Sequence, residues 1–310
     1  MAISGITHCD RAWFSDPVRV PRMSSSLTPG TAAGAHRALD TLHSLTYFVP
    51  EADEEYVALG LRPGRMHYFA SRSAAMGRVG AGVVTATFHN FHPGLVARFV
   101  PAIWEVAAPA DVLAARLRVA DRALRRLLGA DVVTGPEVAE AAELARAATQ
   151  ALSSPGRPLY AAHAELPWPA EPHLVLWHAI TLLREHRGDG HVAVLVGAGL
   201  SGLEALVTHT ATGRGFSEQA ARATRGWSEP EWSDAVAGLR ERGLLDADGL
   251  TPDGVALRER LEAATDALAA DPWLALGPEG TDRLTELGRG FSRRAVAAGA
   301  YPPGLLAARR

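Results

Sequence analysis

Ser228-Glu-Pro-Glu-Trp-Ser-Asp-Ala-Val-Ala-Gly-Leu-Arg-Glu-Arg-Gly-Leu-Leu-Asp-Ala-Asp-Gly-Leu-Thr-Pro-Asp-Gly254 is the stretch on which the fold turns. Ser228 with Glu231 three residues on makes a capping box that opens a helix, Trp232 to Arg242 continues it, and Gly243 stops it. Leu244-Leu245 then leads into a tight Asp246-Ala-Asp-Gly249 turn. After Leu250, Thr251-Pro252 caps a long helix running to about Ala270. Helix, glycine stop, hairpin-like turn and long helix, in that order, read as a winged helix over residues 226–270.

Outward from that module the chain is helical in pattern. Apolar residues recur at helical spacing over Ala32 to Phe48, Glu51 to Leu61, His67 to Met76, Leu174 to Arg187 and His191 to Ala211. Ala110 to Leu128 is the clearest amphipathic helix, with Arg116, Arg118, Arg122, Arg125 and Arg126 on its polar side. Val83 to Phe88 is β-branched and short, and reads as a strand or a buried turn of helix. The fold class expected is mainly α, a helical bundle carrying the winged-helix module. The pair Pro93–Glu105 and Ala110–Leu128 raises a duplicated winged-helix-like unit. Residues 1–30, with scattered Pro, Ser and Gly, read as a flexible N-terminal extension. Ser153-Ser-Pro-Gly-Arg-Pro158 is the strongest break, dividing an N-terminal helical domain (31–152) from a C-terminal one (159–310).

Composition narrows the chemistry. With 310 residues, 47% of them hydrophobic and 21% charged, the chain can bury a sizeable core. No run approaches the roughly 20 apolar residues of a membrane span, and the N-terminus lacks a signal-peptide pattern, so a cytoplasmic location is expected. The single cysteine, Cys9, excludes an internal disulfide. All 31 basic residues are arginine, which excludes a lysine Schiff base, a lysine general base and a P-loop.

Ala235-Val-Ala-Gly-Leu-Arg-Glu-Arg-Gly-Leu-Leu-Asp246 with Leu250-Thr-Pro-Asp-Gly254 resembles the recognition helix, wing and following helix of MarR-like regulators. More widely, the chain from about Gly34 resembles an actinobacterial family of helix-turn-helix proteins, through His43-Ser-Leu-Thr-Tyr-Phe48, Thr87-Phe-His-Asn-Phe-His-Pro93, Leu166-Pro-Trp-Pro169, and Leu176-Trp-His-Ala179 through Arg184-Glu-His-Arg-Gly-Asp-Gly-His191. That resemblance implies the fold and leaves the activity open.

Charge speaks against DNA reading by this module. Gly226 to Ala270 holds ten acidic residues against four arginines, and Glu229, Glu231 and Asp234 stand where a recognition helix meets base edges. A dimer that gathers the arginines of Ala110–Leu128 into one face keeps a regulator reading open. His191-Val-Ala-Val-Leu-Val-Gly-Ala-Gly-Leu-Ser-Gly202 matches the dinucleotide-binding glycine pattern. No buried second strand or alternating β and α elements follow it, so the expected reading is a small-residue helix packed closely on its neighbour, and no cofactor is assigned.

The most suggestive constellation lies just before. Leu174 to Arg187 is apolar on most faces, yet His178, Thr181 and Glu185 share one stripe at i, i+3 and i+7. Buried polar groups need partners or a cavity. Gly188-Asp-Gly190 is expected to turn the chain there and present Arg187, Asp189 and His191. The catalytic candidates are therefore His178, Glu185 and His191. The ligand-binding candidates are Trp177, Thr181, Arg184, Arg187 and Asp189, with His43, Tyr47, Tyr68, Arg72, His89 and Asn90 as an opposing wall. The structural alternative is a satisfied network in which Arg184 or Arg187 braces Glu185 or Asp189. No metal site is assigned: His178 and His186 stand about 12 Å apart along a helix, and His89-Asn-Phe-His-Pro93 reads as a capped turn. The function expected is a small-molecule-binding winged-helix protein, with acid/base chemistry on a small metabolite as its catalytic form. The alternative is a MarR-like homodimeric DNA-binding regulator.

Overall fold

The computed structural model describes residues 29–213 and 217–302. The expected extension over residues 1–28, with Cys9, lies outside the described residues. The chain runs α1 (Pro29–Ser44), α2 (Pro50–Val57), α3 (Arg65–Ser73), α4 (Ala81–Phe88), α5 (Pro93–Ala97), α6 (Ile103–Val106), α7 (Pro109–Leu128), α8 (Ala130–Val133) and α9 (Pro136–Thr149). It continues with α10 (Pro158–Ala164), α11 (Pro172–Gly197), α12 (Gly202–Thr210), α13 (Glu218–Arg225), α14 (Glu229–Glu241), α15 (Pro252–Ala267) and α16 (Asp271–Ala297). Proline at the first helical turn opens most of these, its fixed φ and missing N–H costing nothing there. Among the described residues the only β contact is an isolated bridge between Leu245 and Leu250. The mainly α expectation therefore holds, and Val83 to Phe88 is helix.

Two apolar cores organise the helices. The larger draws on α1, α3, α6, α7, α9, α10, α11 and α16 through residues such as Leu42, Phe69, Ile103, Leu127, Leu159, Ile180 and Phe291. The smaller holds Leu195, Leu206, Trp232, Leu239, Leu245 and Leu261. The Ser153–Pro158 turn lies inside the larger core's territory, because α11 packs back on α9 and α7 with α10 against it, and α16 returns the chain to α1 and α9. After α7 the chain passes into α8 and α9 without a β bridge, so no second winged unit forms there.

The smaller core belongs to α12–α15, and its local signals are those expected. The Ser228–Glu231 capping box forms, Gly243 takes a left-handed φ of 70°, and the Thr251 hydroxyl accepts from the Gly254 N–H at 3.1 Å. A Cβ on Gly254 would fall 2.1 Å from the Leu244 carbonyl oxygen, which is how closely the hairpin-like turn seats on α15.

Two segments depart from expectation. Gly188-Asp-Gly190 makes no turn, and α11 continues through it to Gly197. The glycine serves approach instead: the Arg157 guanidinium lies on Gly190, where a Cβ would collide with it, and bonds to the carbonyls of His186 and Leu268. His191 to Ala211 is two helices, α11 and α12 bending by 101° across the break. Gly199 turns the chain with φ of 68°, and Gly202 packs so tightly that a Cβ would fall 1.9 Å from the His89 carbonyl oxygen. No single described helix is long and apolar enough to cross a membrane.

Candidate functional site

A cleft of about 1270 Å³ separates the large helical body from the α12–α15 module. The body contributes α1 through His36, Arg37 and Asp40, α3 through Tyr68 and Arg72, the start of the α4–α5 loop through Asn90, and α11 through Arg184, Arg187, Asp189 and His191. The module closes the other side with His209, Arg225, Arg258 and Glu262. Half of the sequence-derived candidates thus share one wall: Tyr68, Arg72, Asn90, Arg184, Arg187, Asp189 and His191.

The other half lies behind that wall. Glu185 is fully buried, taking Arg72 Nη2 at 3.1 Å and Arg184 Nη1 at 3.3 Å. Burial alone pushes its carboxyl up, but Arg72 and Arg184 overrule it and hold it well below the usual carboxylate range. Thr181 spends its hydroxyl hydrogen on the Trp177 carbonyl at 2.9 Å. It therefore accepts from His43 Nδ1, 3.1 Å away, which leaves His43 Nε2 to accept from the Tyr47 hydroxyl at 3.1 Å. Burial drives His43 well below its ordinary value, consistent with that neutral tautomer.

His178, Glu185 and His191 do not form one catalytic set. His178 points to Trp168, edge to face at 4.7 Å, and burial followed by the Arg116 charge lowers it to about 4. His191 faces the module and bonds the Thr265 hydroxyl at 2.8 Å. Glu185 sits between them behind two guanidiniums. The expected turn at Gly188–Gly190 would have swung His191 toward the others, whereas the continuous helix carries it along the cleft. Asp189 caps α10, its Oδ2 accepting from the Leu159 and Tyr160 N–H groups at 2.9 Å each. Burial raises it to about 6 against those bonds. Arg184 braces Glu185 as expected, whereas Arg187 pairs across the cleft with Asp266 at 2.7 Å rather than with Glu185 or Asp189. His89 takes φ of 55° at the end of α4 and lies against Gly202 rather than in the cleft. His92 caps α5 by accepting from the Gly94 N–H at 2.9 Å, the capped turn expected there.

Charge is concentrated at one end of the cleft. The Tyr68 hydroxyl accepts from Arg72 Nη1 at 3.0 Å. Burial would raise this phenol, but Arg72, Arg225 and Arg184 outweigh burial and lower it, so the local field favours an anion. Tyr68 was among the wall residues expected from the sequence; Arg225 and Arg258 were not. Arg258 was detectable as a cation in the middle of α15, while Arg225 carried no local signal, because only the docking of the two bodies brings it to Tyr68 and Arg72.

A family model described as a helix-turn-helix family matches residues 32–302. The chain belongs to that helix-turn-helix family. No curated protein and no solved structure matches it. In α14 of this helix-turn-helix protein, expected from the sequence to be the reading helix, the exposed residues include Glu229, Asp234 and Glu241 beside Arg240. Its N-terminal end is engaged by the body: His92 Nε2 lies 3.0 Å from Glu231, and the Trp227 indole donates to the Asn90 carbonyl at 3.0 Å. The basic face expected on α7 is neutralised in place. Arg118 pairs with Glu55, Arg122 with Glu54 and Glu55, Arg125 with Asp121 and Arg126 with Glu51. Arg116 is buried over the Trp177 ring.

Proposed function

We propose that this helix-turn-helix protein is a small-molecule-binding protein whose ligand, a polar molecule with at least one negative charge, lies in the cleft between the helical body and the α12–α15 module. The observation that carries this reading is the electropositive end of the cleft, where the Tyr68 hydroxyl stands in the field of Arg72, Arg184 and Arg225. A ligand there touches α3 and α11 on one side and α13 and α15 on the other, so its binding energy bears on the seating of the module. The neutral histidines and the paired acids along the rest of the cleft supply hydrogen-bonding positions without cancelling that field. Acid/base catalysis by His178, Glu185 and His191 is not part of the proposal, because the three open onto no common space.

The testing experiment is a thermal-shift panel of small carboxylates, phosphates, sulfonates, amines and neutral sugars on the full chain. Anions are expected to raise Tm and amines to leave it unchanged, with the increment reduced in Arg225→Met. Stabilisation by amines or sugars alone, or anion increments untouched by Arg225→Met, overturns the reading.

A second reading, a MarR-like homodimeric regulator, is supported by the helix-turn-helix family match and opposed by the carboxylates on the exposed face of α14.

A further inference from the structure

A second polar site lies in the larger core, away from the cleft. Arg116, on α7, is 3% exposed, and its Cζ stands 4.6 Å above the Trp177 ring. Its Nε and Nη2 atoms are buried without a hydrogen-bond partner among the described residues. Both ring nitrogens of His163, the Trp177 indole nitrogen and His178 Nε2 are likewise buried and unpartnered, on side chains no more than 5% exposed. Arg116 is among the charges that hold His43, His163 and His178 down, which places these rings in its field.

The chain itself shows what this arginine edge is for. Arg126 grips Glu51 through Nε and Nη2, with the Nη2 contact at 2.9 Å. Arg283 grips Glu140 through the same two atoms at 2.8 Å each. Side-on pairing of that edge with two oxygens of one group is the strongest geometry a guanidinium offers. In Arg116 the identical edge is buried and has no carboxylate. The interior charges around it pair elsewhere: Arg72 with Glu185, and Arg184 with Asp40 and Glu185. A buried cation without a counter-charge is costly, and the groups beside it are neutral donors and acceptors.

We infer that the Arg116 edge is an interior oxyanion site, which takes the carboxylate of a small organic acid side-on, with the Trp177 indole N–H and a His163 ring N–H as further donors. None of Arg116, His163, Trp177 and His178 lines the cleft, so the site stands independently of the cleft reading. The ring edge of Trp168, against His178, covers it from the α10–α11 connection.

The test compares melting of the full chain in sodium acetate and in sodium chloride at equal ionic strength. At about 100 mM acetate, binding in the millimolar range raises Tm by about 2 °C over chloride. In an Arg225→Met background, which weakens the cleft's own response to acetate, the remaining increment falls on adding Arg116→Gln and persists on adding Arg283→Gln, a position whose fork already holds Glu140. An equal Tm in both salts, or an increment in that background that Arg116→Gln leaves undiminished, overturns the site. Should Arg116→Gln not fold, a crystal structure of the wild-type chain grown in sodium formate decides. Planar two-oxygen density bridging Arg116 Nε and Nη2 upholds the inference, and a lone water or an adventitious additive only, held elsewhere, overturns it.

Discussion

Glu185 is the residue on which the cleft wall hangs. It holds Arg72 and Arg184 from behind, so that both guanidiniums present their remaining faces forward. Removing its charge leaves Arg72 without a counter-charge, while Arg184 keeps Asp40, and breaking one side of a buried pair costs about 3 kcal/mol or more. Glu185→Gln is therefore expected to lower unfolding stability by about that amount in urea, with the m-value unchanged; a variant as stable as wild type would show that Glu185 is dispensable to the wall. The stripe containing Glu185 was legible because α11 is apolar around it, and a polar residue on such a helix has few explanations. The role of Asp189 was not legible. Its partners are the N–H groups of Leu159 and Tyr160, some 30 residues away, and nothing local signals a cap supplied from another helix.

Among the elements, α11 and the capped helices of the module teach opposite lessons. Ser228, Glu231, Gly243 and Thr251 are local devices, and each formed as its neighbours in sequence dictate. Gly188-Asp-Gly190 carries equally strong turn chemistry, yet it is helix, because Asp189 and Gly190 are spent on contacts with α10 and Arg157. A glycine inside a helix costs about 1 kcal/mol relative to alanine, and that is less than the packing gained here. Gly202 makes the same point at the joint between the bodies. Gly202→Ala forces the His89 carbonyl away from α12 and is expected to destabilise the protein by about 2 kcal/mol while raising amide exchange in residues 88–92. Unchanged exchange in that loop would show that the joint tolerates a methyl group.

For the molecule as a whole, the histidines set the acid limit. His43, His163, His178 and His186 are buried and neutral, with pKa values below the ordinary 6.5 and those of His178 and His186 at about 4. A base whose folded value is depressed favours the folded state above its unfolded value and loses that advantage as pH falls through it. Asp189, raised to about 6, acts oppositely by taking up one proton in the folded state. Between pH 6 and 5 these rings outnumber Asp189, so the unfolded chain binds more protons and stability falls as pH is lowered through that window. Urea unfolding from pH 7.5 to 5 checks this; a flat profile would mean that the rings are hydrated in solution. The same scale governs the regulator reading. With the α7 arginines paired and α14 acidic, retention on double-stranded DNA is expected to vanish above about 0.1 M salt. Persistent, steeply salt-dependent binding to a defined sequence would restore that reading. How the two bodies meet was beyond the sequence, because the cleft exists only once α1, α3 and α11 face α13 and α15, and no local pattern encodes that docking. The most direct measurement is a crystal structure of the full chain with the most stabilising anion of the thermal-shift panel. Density among Tyr68, Arg72, Arg184 and Arg225 is predicted, and an empty cleft with that anion bound on the outer surface would contradict the account.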